Sequence, residues 1–192
     1  MTLRIHGNRL LKTLPGQSTR PTSARVREAV FNILQGSIAG CRWLDLCAGS
    51  GAMGAEALSR GASYVLGIEQ SGQACAVVSQ NWQRVARHGQ TFDVVRGDVA
   101  KQLLRLEVEP FDVIYFDPPY ASNLYQPALT AIAARSILKS TGALVVEHAA
   151  NIALPVTLSG SSEGSGGMAL SCYRQKAYGR TRLSLYGTYA DS

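Results

Sequence analysis

The chain predicts an α/β fold in which helices cover both faces of a sheet. The expected sheet is mostly parallel and seven-stranded, with a C-terminal antiparallel hairpin and a small N-terminal hairpin and helix. Three observations predict it. Apolar strand-like runs alternate with helical stretches from residue 41 onward, which implies a parallel sheet covered by helices. A glycine motif, Gly49-Ser50-Gly51-Ala52-Met53-Gly54, follows the first of those strands and opens a helix. A later strand, Phe111-Asp112-Val113-Ile114-Tyr115-Phe116, stops at Asp117-Pro118-Pro119-Tyr120. Consecutive prolines cannot continue a ladder, because each lacks the N–H it needs.

The elements follow in order. Residues 3–13 alternate around Gly7-Asn8, a hairpin signal. Residues 14–21, with Pro15, Gly16 and Pro21, read as a loop. Thr22 or Ser23 can then cap a helix with Val26, Val30, Ile33 and Leu34 on one face, ended by Gly36 and Gly40. Strands are expected at 42–47, 63–68, 91–96, 111–117 and 143–147, with helices near 52–60, 71–87, 98–107 and 124–138. Residues 159–167, rich in Ser and Gly, form a loop, and strands at 169–177 and 182–187 close the sheet through Tyr178-Gly179-Arg180. Two parts are expected: a basic N-terminal extension over 1–40 and a catalytic domain over 41–192.

With 192 residues, the chain can bury one sizeable core. No apolar run approaches membrane-span length and the N-terminus has no signal-peptide core, so the cytoplasm is the expected compartment. Cys41, Cys47, Cys75 and Cys172 form no C-x-x-C pair, and His6, His88 and His148 lie far apart. No disulfide framework and no metal are expected. Nothing demands more than a monomer.

Charge is uneven. The chain has 19 Lys and Arg against 13 Asp and Glu, a net charge of +6. Arg4, Arg9, Lys12, Arg20, Arg25 and Arg27 fall in the first 27 residues without an acid, so the remainder is neutral. Arg174, Lys176, Arg180 and Arg182 form a second acid-free cluster. Two such clusters around a neutral core suit a polyanion, most simply nucleic acid.

The chemistry is read from three strand ends. The glycine motif with Glu69, 20 residues after Gly49, matches a nucleoside-cofactor site, the acid accepting from ribose hydroxyls. A dinucleotide would bring a pyrophosphate to the helix N-terminus; S-adenosylmethionine brings an ammonium instead, which Asp45 could receive. Asp98, after Gly97, could accept from an adenine amine or simply cap a helix. Asp117 and the Pro118 carbonyl could hold both N–H groups of an exocyclic amine, with Tyr120 stacked on the base. Such a base in structured RNA must first leave its stack.

These residues resemble a known family. Asp45 through Ala62, Asp117-Pro118-Pro119-Tyr120, Thr19-Arg20-Pro21-Thr22 with Arg25-Val26-Arg27-Glu28-Ala29-Val30-Phe31-Asn32-Ile33-Leu34, and Tyr178 through Tyr186 look like the RsmD-like 16S rRNA guanine-N2 methyltransferases. The resemblance implies a class I methyltransferase (Rossmann-like) fold and S-adenosylmethionine as methyl donor, the loop at Ala48, Gly49 and Gly51 cradling its methionine part, Glu69 its ribose, and Asp98 with Val99 its adenine. It implies Asp117, Pro118, Pro119 and Tyr120 as the catalytic set. It also implies 16S rRNA in the 30S subunit, or in an assembly intermediate, as partner; the acid-free charge clusters make Arg4, Arg9, Lys12, Arg20, Arg25, Arg27 and Arg180 the residues expected to grip it. The Gly7-to-Thr13 stretch is less basic and glycine-rich than is usual in that family, and Ala121-Ser122-Asn123 lacks its basic character. Adenine-N6 methylation shares the Asp-Pro-Pro-Tyr motif. Outside methyl transfer, a nicotinamide oxidoreductase would leave the prolines unexplained, and a non-catalytic RNA-binding assembly factor would not need the intact pocket.

Overall fold

The computed structural model of the protein describes residues 2–14, 23–119, 122–160 and 167–188. It divides into two units, Met1–Asp98 and Val99–Ser192. Most of the expected loop at 14–21 and most of that at 159–167 lie outside the described residues, as do Arg20 and Tyr120.

The first unit opens with an antiparallel hairpin of β1 (Thr2–Ile5) and β2 (Arg9–Lys12), with Leu3 opposite Leu11. Its turn carries Gly7 at φ 72° and Asn8 at φ 60°. Those left-handed angles are what glycine and asparagine tolerate best. Helix α1 (Ala24–Ile33) starts where the Ser23 hydroxyl accepts the Val26 N–H at 3.2 Å, one of the two caps expected. It buries Val26, Arg27, Val30 and Phe31, while Ile33 is only half-buried. Phe31 stacks on Trp43, centroids 5.2 Å apart, and so takes the core position expected of Ile33. The unit continues with β3 (Arg42–Leu46), α2 (Ala52–Ser59), β4 (Tyr64–Glu69), α3 (Gly72–Val85) and β5 (Thr91–Arg96). The three strands are parallel in the order β5-β4-β3.

The hairpin, expected as part of an appendage, is tied into this unit. His6 N–H donates to Glu56 Oε2 at 3.0 Å, and the Ser59 hydroxyl donates to His6 O at 3.1 Å. Asn81 of α3 is fully buried. Its amide takes the Lys12 N–H and donates to both Lys12 O and Ser50 O. One side chain therefore joins the hairpin to the glycine loop.

The second unit contains α4 (Val99–Arg105), β6 (Phe111–Phe116), α5 (Tyr125–Arg135), β7 (Leu138–Ala149), β8 (Thr157–Leu158), β9 (Leu170–Tyr178) and β10 (Thr181–Thr188). Its strands run in the order β6-β7-β10-β9-β8, parallel between β6 and β7 and antiparallel elsewhere. Pro127 falls in the first turn of α5, where no intrahelical N–H is lost. Two features differ from expectation. The two-residue β8 was not predicted, being too short to leave a periodic pattern. Strand β7 begins at Leu138 rather than 143. A register shift opposite Phe111–Val113 absorbs the extra residues. Gly142 lets the chain pass there, since a Cβ would lie 2.9 Å from Asp112 O.

Candidate active site

In the first unit the site is built on the turn from β3 to α2. Cys47, Gly49 and Gly51 all have left-handed φ, at 61°, 56° and 73°. The Cys47 and Ala48 N–H groups both donate to Ile68 O. The three glycines of the motif do different work. A Cβ on Gly51 would lie 2.7 Å from Trp82 Nε1, and one on Gly54 would lie 2.2 Å from Trp82 Cζ2. Gly67 on β4 meets the same indole at 2.6 Å. The ring is fully buried and its N–H donates to Gly51 O at 2.7 Å. Gly51 and Gly54 are therefore a seat for Trp82. Only Gly49 faces open space, with nothing nearer its Cβ position than Cys47 O at 3.9 Å. Of the three, Gly49 is the one that leaves room beside the backbone, a distinction the motif alone does not carry.

Two carboxylates organise the turn. Glu69, at the end of β4 and half-buried, accepts the Gly49 N–H at 2.9 Å through Oε2 and the Ser71 N–H at 2.8 Å through Oε1. Asp45 is only 2 % exposed and accepts the Gly54 N–H at 2.9 Å. Burial pushes its carboxyl from 3.8 up to about 8; the Gly54 hydrogen bond opposes this and the nearby Glu69 charge adds to it. A bound cation would restore the ionised form. Ala48 is buried. Asp98 is half-buried and follows Gly97, whose N–H donates to Glu69 O at 3.0 Å.

In the second unit, Val99 begins α4 and is buried. Asp117 is half-buried at the end of β6, Pro118 is buried and Pro119 is exposed. The Pro119 carbonyl accepts the Ser122 N–H at 2.8 Å. The segment is anchored on both sides. Phe116 packs edge-on against Tyr125 of α5, centroids 5.9 Å apart. The Tyr115 hydroxyl donates to Glu147 Oε2 at 2.5 Å, and the Tyr125 hydroxyl donates to Glu147 O at 3.4 Å. Glu147, buried at the end of β7, is thus a shared anchor for both flanks of the proline turn. Its one signal in the sequence is a carboxylate at the end of the strand expected over 143–147. That histidine is fully buried; Nδ1 donates to Ala149 O, so Nε2 accepts from Ser184 Oγ at 2.9 Å. Burial lowers its pKa, and its place is structural.

The basic residues divide. Arg4, Lys12, Arg25 and Arg180 are exposed. Arg4 hydrogen-bonds Asn8 Oδ1, and Lys12 Nζ reaches Gln80 Oε1 at 2.7 Å. Arg9 is half-buried and donates to Val85 O at 2.6 Å. Arg27 needs correction as a phosphate ligand. It is 5 % exposed, its Nε lies 3.3 Å from Glu56 Oε2, and its Nη2 donates to Arg4 O at 2.6 Å. Glu56 also pairs with Arg60 at 2.8 Å. Arg27 sits on the inward face of α1, where burial and a carboxylate partner fix it inside the fold.

Comparison with known proteins places this arrangement. A family model described as Conserved hypothetical protein 95 matches residues 3–187. YlbH of Bacillus subtilis is 33% identical over 182 residues, covering 93% of this chain and 92% of that protein. Ribosomal RNA small subunit methyltransferase D of Haemophilus influenzae is 33% identical over 140 residues, 72% of each chain. The solved structure of the Escherichia coli protein yhhF superposes with a TM-score of 0.79 at 28% identity, over the full length of both. With the parallel α/β strands and the glycine turn described above, these matches establish that the fold is that of the class I methyltransferases and that the chain belongs to the RsmD-like family.

Proposed function

We propose that the protein is an S-adenosylmethionine-dependent methyltransferase acting on the exocyclic N2 of a guanine in small-subunit ribosomal RNA, in the cytoplasm as the 30S particle assembles. Family membership across residues 3–187 carries this reading. The H. influenzae relative, by its name, acts on small-subunit rRNA. The observed turn fits the donor. Gly49 leaves room for close approach, and Glu69 takes one N–H at each carboxylate oxygen, leaving lone pairs for ribose hydroxyls. The raised affinity of Asp45 for a proton is what a carboxylate awaiting an ammonium would show.

When bound, S-adenosylmethionine supplies an electrophilic methyl carbon on a sulfonium. The rest of the chemistry belongs to the chain. Ala48 and Gly49 would line the methionine part, Glu69 the ribose, and Asp98 with Val99 the adenine. Asp117 and the Pro118 carbonyl would accept the two N–H groups of the substrate amine, holding its lone pair toward the methyl carbon. They would also stabilise the positive charge that develops on nitrogen as the N–C bond forms and the C–S bond breaks. Asp117 would then take the departing proton. Tyr120 would stack on the base, and residues 1–40 with Arg180 would contact the RNA backbone.

The test is methyl transfer from labelled donor to unmodified 30S particles and to naked 16S rRNA, followed by nucleoside digestion. N2-methylguanosine is expected. N6-methyladenosine would overturn the substrate, and absence of any transfer would overturn the activity.

A further inference from the structure

The exposed edge formed by β9 contains an aromatic, Tyr173, and two cations, Arg174 and Lys176, that the proposed chemistry does not use. Strand β8 pairs only with Ser171 and Leu170, so residues 173–177 lie beyond it and are all exposed. Register slips between Leu185 and Tyr186: Arg174 lies opposite Leu185 and Cys172 opposite Tyr186, which leaves Tyr173 as the extra residue of a bulge. Bulges re-aim side chains. Here Tyr173 is 56% exposed, and its Cε1 lies 3.4 Å from where a Gly187 Cβ would be, on the side-chain face of Gly187. Leu183, Leu185 and Gly187 alternate along one face of β10, and Lys176 and Arg174 lie opposite Leu183 and Leu185. The ring and the two cations therefore share a face. Val156, 72% exposed, adjoins them, its carbonyl accepting the Cys172 N–H at 2.7 Å. Arg180 stands exposed at the turn leading into β10.

An edge protected only against aggregation needs charge of either sign and no solvent-facing aromatic. This one carries cations only, within an acid-free run from residue 164 to 190. A bare aromatic between cations is the combination that binds unpaired nucleotides. We propose that the Tyr173–Lys176 edge is a second RNA-docking surface, stacking an unpaired base of the substrate on Tyr173 and holding the flanking phosphates with Arg174, Lys176 and Arg180. This rests on the proposed rRNA substrate and names a surface that serves it away from the reacting base.

The test compares wild type, Tyr173→Ala, Tyr173→Phe and the double variant Arg174→Gln/Lys176→Gln. Affinity for a fluorescent single-stranded oligoribonucleotide and for unmodified 16S rRNA is read across a salt series. Tyr173→Ala should weaken binding about 10-fold with unchanged salt slope, and Tyr173→Phe should restore it. The double variant should lower the slope of log K against log salt by about 1.4, two single-strand phosphate contacts. Wild-type affinity and slope in all variants would overturn the surface. So would variants that bind RNA normally but lose affinity for 30S particles, which would mark a ribosomal-protein contact. Transfer of labelled methyl by the wild type is scored separately. RNA binding without transfer would sink the enzymatic reading and leave the surface standing; transfer with unaltered variants would do the reverse.

Discussion

At the scale of single residues, two carboxylates carry opposite demands. The proposed chemistry needs Asp117 accessible, and it is half-buried just past the end of β6. Asp117→Ala is expected to abolish methyl transfer while leaving donor binding by calorimetry within about 2-fold, because the donor-binding residues proposed here are others. Wild-type turnover in that variant would remove Asp117 from the mechanism. Asp45 is the reverse case, buried against the start of α2. Its folded pKa lies above its ordinary value, at about 8 against 3.8, so the fold favours the protonated acid. The stabilisation from that proton is complete below about pH 3.8 and is lost as pH rises through about 8. Asp45→Asn keeps an oxygen for Gly54 and carries no charge. Its thermal midpoint should exceed that of the wild type by at least about 2 °C at pH 8.5, with the gap narrowing toward pH 5. The same variant should bind the donor more weakly.

At the scale of elements, close approaches set what each position can hold. Helix α2 is buried along its whole length and crosses Trp82 of α3 at Gly51 and Gly54. Gly54→Ala would drive a methyl into the indole. A cost of about 1–3 kcal/mol is expected from overpacking, or roughly 3–10 °C in thermal midpoint. The paired change Gly54→Ala/Trp82→Leu should recover part of it, because the two positions share one space. Equal midpoints for the single variant and wild type would show that the seat is slack. Helix α1 is held from its inner face. Arg27 and Arg60 converge on Glu56, which also accepts the His6 N–H, so one buried carboxylate gathers the hairpin, α1 and α2. Such a pair contributes by leaving no charge uncompensated, and losing either partner is far costlier than losing a surface bridge.

At the scale of the whole molecule, the excess charge is a matter of distribution. The first 27 residues carry the +6 excess, but the structure removes Arg27 from it and engages Arg9 and Lys12 with α3. Arg4 and Arg25 remain exposed on the hairpin and α1. The variant Arg4→Gln/Arg25→Gln is expected to reduce the salt slope of 16S rRNA binding by about 1.4–1.8, with kcat at saturating RNA little changed. An unchanged slope would move RNA contact away from these two residues.

Periodicity and turn chemistry alone were enough for the alternating strands and helices, the hairpin at Gly7-Asn8, the Ser23 cap and the strand stop at Asp117-Pro118, because each depends on neighbours a few residues apart. Asp45 and Glu69 were also legible as acids of the glycine turn, since the motif fixes their spacing from the glycines. Only the tertiary structure decided what depends on distant partners. Arg27 points inward because Glu56, 29 positions later, waits there. Gly54 is a glycine because Trp82 covers it. Glu147 anchors the proline turn because β7 lies beside β6, and Tyr173 faces solvent because β9 and β10 fall out of register. A linear pattern records which residues a local element prefers; which of them meet is set by long-range packing, and burial and charge pairing follow from that meeting.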